Sequence, residues 1–303
     1  MVEQGGVRMP ETILVGIDSS TPSRSAIAWS VARAVATGAS IELLHVIEGE
    51  LLTEGTAEAA DLRTQAQALV RTELSYARSL DPTLAIIATI AEGRPADVLA
   101  KRSKGYTLLV VGTHKTGFIY GRAFGSRFLG LGWRSRCDVA FIPDRVGYDR
   151  RSIVAGIDNS ATGDAVLLFA ASEAARSSQE LVLVSSWGSV AHPPHSELTV
   201  SRRAAMLSRA VRLARESQAH LQVRTRAVER PTAEALIESS ASAALLVIGR
   251  RRTSRAGGSS RAANHDVLLN MTSPVIVVLD DPISAPAPLR ADGSGSSASL
   301  LRD

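Results

Sequence analysis

Cysteine, aromatic residues and long apolar runs are all scarce in this 303-residue chain, and each scarcity excludes a class of protein. The single cysteine, Cys137, excludes an intramolecular disulfide and fits a reducing compartment. Aromatic residues make up only 4% of a chain that is 45% hydrophobic, so Ala, Val, Leu and Ile must build the cores. No window approaches the ~18 to 20 uninterrupted apolar residues of a membrane span, and the N-terminal residues carry no hydrophobic signal core. We therefore expect a cytoplasmic protein, without a membrane partner, that layers helices on a Val/Ile-rich sheet.

The charged and reactive residues assemble no catalytic constellation. The net charge of +4 is modest for this length, so it permits anionic ligands, and nucleic acid is not an expected partner. His192 and His195 have a metal-like spacing, but the two prolines between them make a solvated loop the favoured interpretation. His45 is expected to be a packed histidine, and Cys137 to be structural. No catalytic residue and no metal ligand is predicted.

The chain contains an internal repeat of about 140 residues. The word ILVGIDSS at Ile13–Ser20 returns as IVAGIDNS at Ile153–Ser160, an offset of 140. An Arg-Pro pair recurs from Arg94 at an offset of 136, and the word LLVVG recurs from Leu108 as LLVIG at an offset of 137. Three landmarks in the same order and nearly the same register indicate a duplicated domain.

Each copy alternates short aliphatic segments with helical patterns. In the first copy, the predicted strands are 12–18, 40–47, 84–91, 107–111 and 139–142, and the predicted helices are 22–37, 57–80, 95–104 and 126–136. The second copy is predicted to have strands near 152–158, 180–186, 221–227, 244–248 and 275–279. This pattern predicts an α/β fold, with one five-stranded parallel sheet in each copy and helices on both faces. The predicted domains are residues 1–144 and 152–281, with a linker at 145–151 and a disordered Pro/Ser/Gly-rich tail at 282–303.

The ends of strands one and four are the predicted ligand site. In open parallel sheets, ligands bind beyond the carboxyl ends of the strands. Asp18 closes strand one and Gly112 closes strand four, so both line one crevice if these strands are neighbours. Gly125 and Ser126 stand directly before a predicted helix, where unpaired N–H groups form a seat for phosphate. Two alternatives remain open: that Gly125 and Ser126 only turn and cap that helix, and that Asp18 takes the place of a helix N-cap.

The loop after strand four carries the resemblance to a known family. Gly112, position 115, Gly125 and Ser126 follow the spacing G-x2-G-x9-G-[ST], with Lys115 where that pattern has glycine. Together with the word ending in Asp18 and the repeat, this spacing makes the chain resemble a tandem universal stress protein. The resemblance implies two flavodoxin-like, Rossmann-like domains with strand order 3-2-1-4-5. It also implies an ATP site, with Mg²⁺ on the phosphates.

The resemblance also assigns the individual residues of that site. It places Asp18 and Val46 near adenine, Gly112 near the ribose, and Gly125, Ser126 and Arg127 at the phosphates. Lys115 replaces a glycine amide of the family, so its ammonium group either contributes to phosphate binding or turns to solvent.

The second copy departs from this pattern. It retains Asp158, but only eight residues separate Gly249 from Gly258 and Ser259, where twelve separate the corresponding glycines of the first copy. We therefore expect its nucleotide site to be altered or lost. The same segment holds five arginines, which leaves open either an anion site or a solvated basic loop: Arg250, Arg251, Arg252, Arg255 and Arg261.

The expected function is that of a non-catalytic, ATP-binding stress-response protein whose first domain holds the nucleotide. The last strands of the family pair with each other, so the segments CDVAFIP and SPVIVVL are expected to join the copies as an intramolecular pseudo-dimer. Association into a homodimer is left open, and no protein partner is identified. Two alternatives stay open: a nucleotide-independent scaffold that binds partners, and a weak ATPase or a switch autophosphorylated on Ser126 or Thr116.

Overall fold

The structure, a computed structural model, describes residues 10–49, 55–113, 129–144, 150–187, 197–250 and 258–280. Its strands are β1 (Thr12–Ile17), β2 (Ser40–Glu48), β3 (Ile86–Gly93), β4 (Leu108–Thr113), β5 (Asp138–Pro143), β6 (Ile153–Gly156), β7 (Leu181–Trp187), β8 (Val223–Glu229), β9 (Leu245–Arg250) and β10 (Val275–Leu279). Its helices are α1 (Thr21–Thr37), α2 (Ala57–Leu80), α3 (Pro95–Arg102), α4 (Leu131–Arg134), α5 (Ala161–Arg176), α6 (Glu197–Ser217), α7 (Thr232–Ser240) and α8 (Gly258–Asn270). The predicted α/β class is confirmed.

The ten strands form one sheet in the order β3-β2-β1-β4-β5-β10-β9-β6-β7-β8. Within each half the neighbouring strands are parallel and follow the order 3-2-1-4-5 implied by the resemblance. The halves meet where β5 and β10 pair antiparallel, with Phe141 opposite Val275 and Val139 opposite Val277. We call this junction the seam. Because the last strand of each half covers the other, neither is an exposed edge.

Two apolar layers, one on each face of the sheet, run across the seam. One layer packs beneath α1, α2, α5 and α6, and the other beneath α3, α4, α7 and α8. All five residues of β10 are buried, as expected for a strand covered on both faces. Ser20 and Ser160 cap α1 and α5, each accepting a hydrogen bond from the N–H three residues later. None of the described helices is both long and apolar enough to cross a membrane.

The helix predicted at 126–136 is the largest boundary difference. Its first residues lie outside the described chain, and α4 ends at Arg134, two residues before the predicted end. Cys137 follows as a buried residue, and burial raises the pKa of its thiol, which agrees with a structural role. The predicted tail at 282–303 and residues 145–149 of the predicted linker lie outside the described residues.

Buried charges connect the halves on the α1–α5 side of the seam. The Arg33 guanidinium, 6% exposed, donates two hydrogen bonds of 2.9 Å to the Glu173 carboxylate of the second half. It also donates to Glu11, at 3.0 Å from Nη2. Its charge is therefore compensated on both sides, as a buried guanidinium requires.

A carboxylate sits at the end of the β5–β10 ladder. Asp138 Oδ1 accepts a hydrogen bond of 2.8 Å from the Leu279 N–H. Desolvation at this position raises the pKa of Asp138 to about 6, while the Leu279 N–H and the Arg250 charge act in the opposite direction. A carboxyl group with a raised pKa adds stability below the pKa of the unfolded chain and loses that contribution as the pH rises through its folded value.

We expect Asp138→Asn to remove this loss, since asparagine keeps the Oδ1 acceptor for Leu279 and cannot ionise. The free energy of unfolding of the variant, relative to wild type, should rise by about 2 kcal/mol between pH 4 and pH 7. Urea unfolding of both proteins at the two pH values measures this difference.

Asp81 supplies the matched control, because the Thr83 hydroxyl and N–H lower the pKa of its carboxyl group. A lowered pKa adds stability above the pKa of the unfolded carboxyl group, near 3.8, and loses it only at lower pH, so the difference between Asp81→Asn and wild type should stay nearly constant between pH 4 and pH 7. A flat difference between Asp138→Asn and wild type would show that Asp138 is not desolvated at the seam.

Candidate functional site

A cleft opens at the carboxyl ends of the strands in the first half. Strands β1 and β4 are neighbours, with Gly16 opposite Val111. Their ends therefore meet, and Asp18 and Gly112 both line a cavity of about 680 Å³, within the usual range for small-molecule sites. The single crevice predicted from the strand ends is present.

The turn after β1 exposes the Asp18 carboxylate. Asp18 Oδ1 accepts a hydrogen bond of 3.1 Å from the Ser20 N–H, and the Asp18 N–H donates to Ser23 Oγ at 3.2 Å. Ser19, between them, has a φ of 64°, a left-handed conformation that serine adopts rarely. Since Ser20 caps α1, the alternative that Asp18 takes the place of the N-cap is wrong. An exposed carboxylate with further acceptor capacity remains at the mouth of the cleft.

Apolar side chains from β2, α3 and β4 form one wall of the cleft. Val46, at the end of β2, lines the cavity and belongs to the same buried cluster as Leu99 of α3 and Val111 of β4. His45 also lines the cavity, and its Nδ1–H donates to the Ile17 carbonyl at 3.0 Å. A carbonyl only accepts, so this bond places the ring proton on Nδ1. His45 is thus a packed histidine, as expected, and a hydrogen bond to the backbone of β1 holds its ring.

Gly112 lies against the start of α1. An ideal Cβ at this position would lie 2.2 Å from the Pro22 carbonyl oxygen and 2.7 Å from the Ser23 nitrogen, both backbone atoms. No rotamer relieves such a clash, so the close approach of β4 to α1 requires glycine here. Packing against α1 thus explains why Gly112, the first glycine of the loop spacing, is a glycine.

Three charged residues line the side of the cleft formed by α3 and α4. Arg94 precedes α3, Asp97 lies in its first turn, and Arg134 ends α4. The Arg134 guanidinium donates to the Asp97 carboxylate across the gap between the helices. Sequence reasoning missed these residues as site members. The Arg-Pro landmark at a βα turn pointed to this edge of the sheet, whereas no local pattern brings Arg134 to Asp97.

The remaining predicted site residues lie outside the described chain. They are Lys115, Gly125, Ser126 and Arg127. Their assignment to the phosphates stays a prediction. Within the described ranges, no three His, Cys, Asp or Glu side chains come together as a metal site.

The second half differs from the first at one position of the corresponding wall. By sheet register, Ser186 occupies the position of Val46, and its hydroxyl donates to Thr232 Oγ1 at 2.9 Å, where α7 begins. The Ser186 carbonyl accepts a hydrogen bond of 3.0 Å from Arg203, whose guanidinium lies 4.8 Å from the centroid of the Trp187 ring. Leu236 and Ile248 keep an apolar surface beside it, so the difference is a hydrogen-bonded hydroxyl in place of the Val46 side chain.

Arg250 does not belong to a solvated basic loop. It is 4% exposed and donates across the seam to the Ser135 carbonyl at 2.5 Å. Arg261 is the other described arginine of the predicted group, and its guanidinium lies 5.6 Å from the centroid of the Trp133 ring. Arg250 is therefore excluded both from a solvated loop and from an anion site shared by all five arginines.

Comparison with known proteins agrees with this architecture. The model of the universal stress protein family matches residues 9–143 and 149–278. Universal stress protein Rv2028c of Mycobacterium tuberculosis (strain ATCC 25618 / H37Rv) is 31% identical over 158 residues, which cover 50% of this chain and 56% of that protein. The chain thus spans about half the length of that curated relative.

Solved structures show the same fold. The crystal structure of a universal stress protein from Archaeoglobus fulgidus DSM 4304 covers 90% of this chain and 100% of its own, at 16% identity and a TM-score of 0.70. A shorter universal stress protein from Archaeoglobus fulgidus, solved in complex with dAMP, covers 43% of this chain and 98% of its own, at 24% identity and a TM-score of 0.35.

We expect Gly112→Ala to destabilise the protein by about 2–3 kcal/mol, because its Cβ must push β4 away from the backbone of α1. Gly105→Ala is the matched control, since a Cβ there meets no atom within 4 Å. It should change stability by less than about 0.5 kcal/mol. Urea unfolding of the three proteins makes the comparison, and equal stabilities of the two variants would contradict the close approach.

Proposed function

This chain belongs to the universal stress protein family as a tandem, two-domain member, and we propose that the cleft of its first half binds an adenine nucleotide. ATP with Mg²⁺ on its phosphates is the proposed ligand. The binding domain is the one proposed at residues 1–144, and the domain at 152–281 supports it. The observation that carries the proposal is the meeting of Asp18, Val46 and Gly112 in one cleft of about 680 Å³.

The chemistry of the cleft suits the parts of a nucleotide. The wall around Val46 and Leu99 is apolar, which favours a stacked base. The exposed Asp18 carboxylate accepts hydrogen bonds only, and in the proposed pose it faces position 6 of the base, where adenine carries an amino donor and guanine a carbonyl acceptor. Arg94 and Arg134 line the α3–α4 side, where cations favour a phosphate.

The two halves differ at the position proposed to contact the base, which supports assigning the nucleotide to the first half. In the second half, Ser186 and Thr232 are hydrogen-bonded to each other, and the Ser186 carbonyl already accepts from Arg203. A base entering there would have to compete with both contacts for polar groups that already have partners. We therefore propose one nucleotide per chain.

The proposed role is regulatory rather than catalytic. Among the described residues that line the cleft, His45 is the side chain best suited to act as a base: the Ile17 carbonyl holds its Nδ1–H and leaves Nε2 as the acceptor, and within this described part of the cleft no nucleophile is hydrogen-bonded to Nε2. The nucleotide would then act as a ligand whose occupancy reports on the cell, rather than as a substrate.

Titration of the purified, nucleotide-free chain tests this function. We expect MgATP and AMP to bind with one site per chain, and GTP to bind at least about tenfold more weakly, a difference of about 1.4 kcal/mol. Asp18→Asn should weaken ATP binding and reduce the preference for ATP over GTP. It keeps an oxygen for the Ser20 N–H and loses the negative charge and an acceptor at the base. Isothermal titration calorimetry gives both affinity and stoichiometry.

The repeat supplies the matched control. Asp158→Asn makes the same substitution at the corresponding position of the second half, where the Ser160 N–H donates to the carboxylate at 3.0 Å. This variant should bind ATP as the wild type does. The proposal fails if wild-type protein binds no adenine nucleotide at millimolar concentration, or if Asp158→Asn weakens binding as much as Asp18→Asn.

A further inference from the structure

Arg250, a buried arginine of the second half, binds the segment between α4 and β5 of the first half. Arg250 ends β9, at the register position that Thr113 occupies in β4. Its Nη2 donates to the Ser135 carbonyl at 2.5 Å and to the Cys137 carbonyl at 3.3 Å, both in the first half. These carbonyls belong to the segment between α4 and β5. The Arg250 guanidinium thus donates hydrogen bonds to the backbone of the short segment that connects α4 to β5.

Helix α8 of the second half also contacts α4. The Arg261 guanidinium lies 5.6 Å from the centroid of the Trp133 ring, within the range of a cation–π interaction. Gly132 of α4 is buried between the halves, since a Cβ added to it would lie 3.6 Å from the Phe141 ring and 3.8 Å from Leu268 Cδ1. The first half holds α4 as well, through Arg134 and Asp97 and through the Arg136 N–H, which donates to Ser103 Oγ at 2.8 Å. The orientation of α4 therefore depends on contacts from both halves.

Helix α4 carries one of the cations of the cleft. Arg134 is its last residue and lines the cavity together with Asp97. The bond to Asp97 uses one of the five N–H donors of a guanidinium, so donors remain for a ligand oxygen. The position of this side chain follows from the position of α4.

We propose that Arg250 is a positioning residue for the nucleotide cleft. By binding the Ser135 and Cys137 carbonyls, it fixes α4 so that Arg134 faces the phosphate of a bound adenosine phosphate. This inference rests on the proposed function and extends it. The second half thus contributes to binding through its contacts on α4 and on the segment that follows it.

The test compares ligands with and without a phosphate. In Arg250→Met the apolar stem remains and the two hydrogen bonds are lost. We expect its affinity for AMP to fall by about tenfold while its affinity for adenosine changes by less than about twofold. A purely structural defect would weaken both ligands together. Arg226→Met is the matched control, because Arg226 lies on the distal strand β8 and pairs with Glu238 of α7. This variant should leave both affinities unchanged.

A double-mutant cycle shows whether Arg250 acts through Arg134. Arg134→Met alone should weaken AMP and spare adenosine, and adding Arg250→Met should cause little further loss. Independent, multiplicative losses would overturn the positioning role, as would equal weakening of AMP and adenosine in Arg250→Met, or no effect on either. If Arg250→Met does not fold, Arg250→Gln, which shortens the side chain and removes the guanidinium, takes its place with the same criteria.

Hydrogen exchange separates this proposal from the proposed function. The amides of residues 129–137 should exchange about tenfold faster in Arg250→Met than in wild type, without ligand, while those of β1 and β2 stay unchanged. If wild-type protein binds no adenine nucleotide, the proposed function fails. Unchanged exchange of these amides would by itself show that Arg250 does not hold α4.

Discussion

The antiparallel pairing of β5 with β10 joins two five-stranded sheets into one, and the arrangement of the rest of the molecule depends on it. It buries the last strand of each half against the other, and it aligns the two apolar layers so that each runs through the whole chain. Charges flank the pairing on both faces: Arg33 and Glu173 on one, Arg250 on the other, with Asp138 at its end. Buried charges tolerate no displacement of their partners, so they fix the register that the apolar strands alone leave loose.

The two halves use one framework to different ends. Their strand orders, capping serines and turn aspartates correspond, and even an ion pair between the first two helices is conserved in position. That pair is reversed in sign: Arg24 binds Glu73 in the first half, whereas Asp164 binds Arg209 in the second. Opposite charges pair between these helices in both halves, whichever helix carries which. At the strand ends, by contrast, the chemistry diverges, with the apolar Val46 in one half and the hydrogen-bonded Ser186 in the other.

In the proposed function the second half holds no nucleotide, and its strand β9 ends in a large cation, Arg250. The guanidinium is long enough to cross the seam and carries enough donors to bind two carbonyls at once. The second half thereby supplies hydrogen bonds to the segment after α4, and the contact of Arg261 with Trp133 joins it to α4 itself.

The sequence by itself determined the duplicated α/β fold, the strand ends and the cleft between them. Alternating periods, capping residues and the repeat are local patterns, and the rule that parallel strands end at one edge brings Asp18 to Gly112. Helix α4 could not be bounded from the sequence, because its end is set by Ser135 and Cys137 binding a residue 113 to 115 positions away. Only the tertiary structure decided that Arg134 meets Asp97, that Ser186 bonds to Thr232, and that Arg250 is buried. Each of these contacts joins elements that are distant in sequence. The residues around an arginine in a basic run do not show whether its guanidinium faces solvent or binds the other half of the molecule.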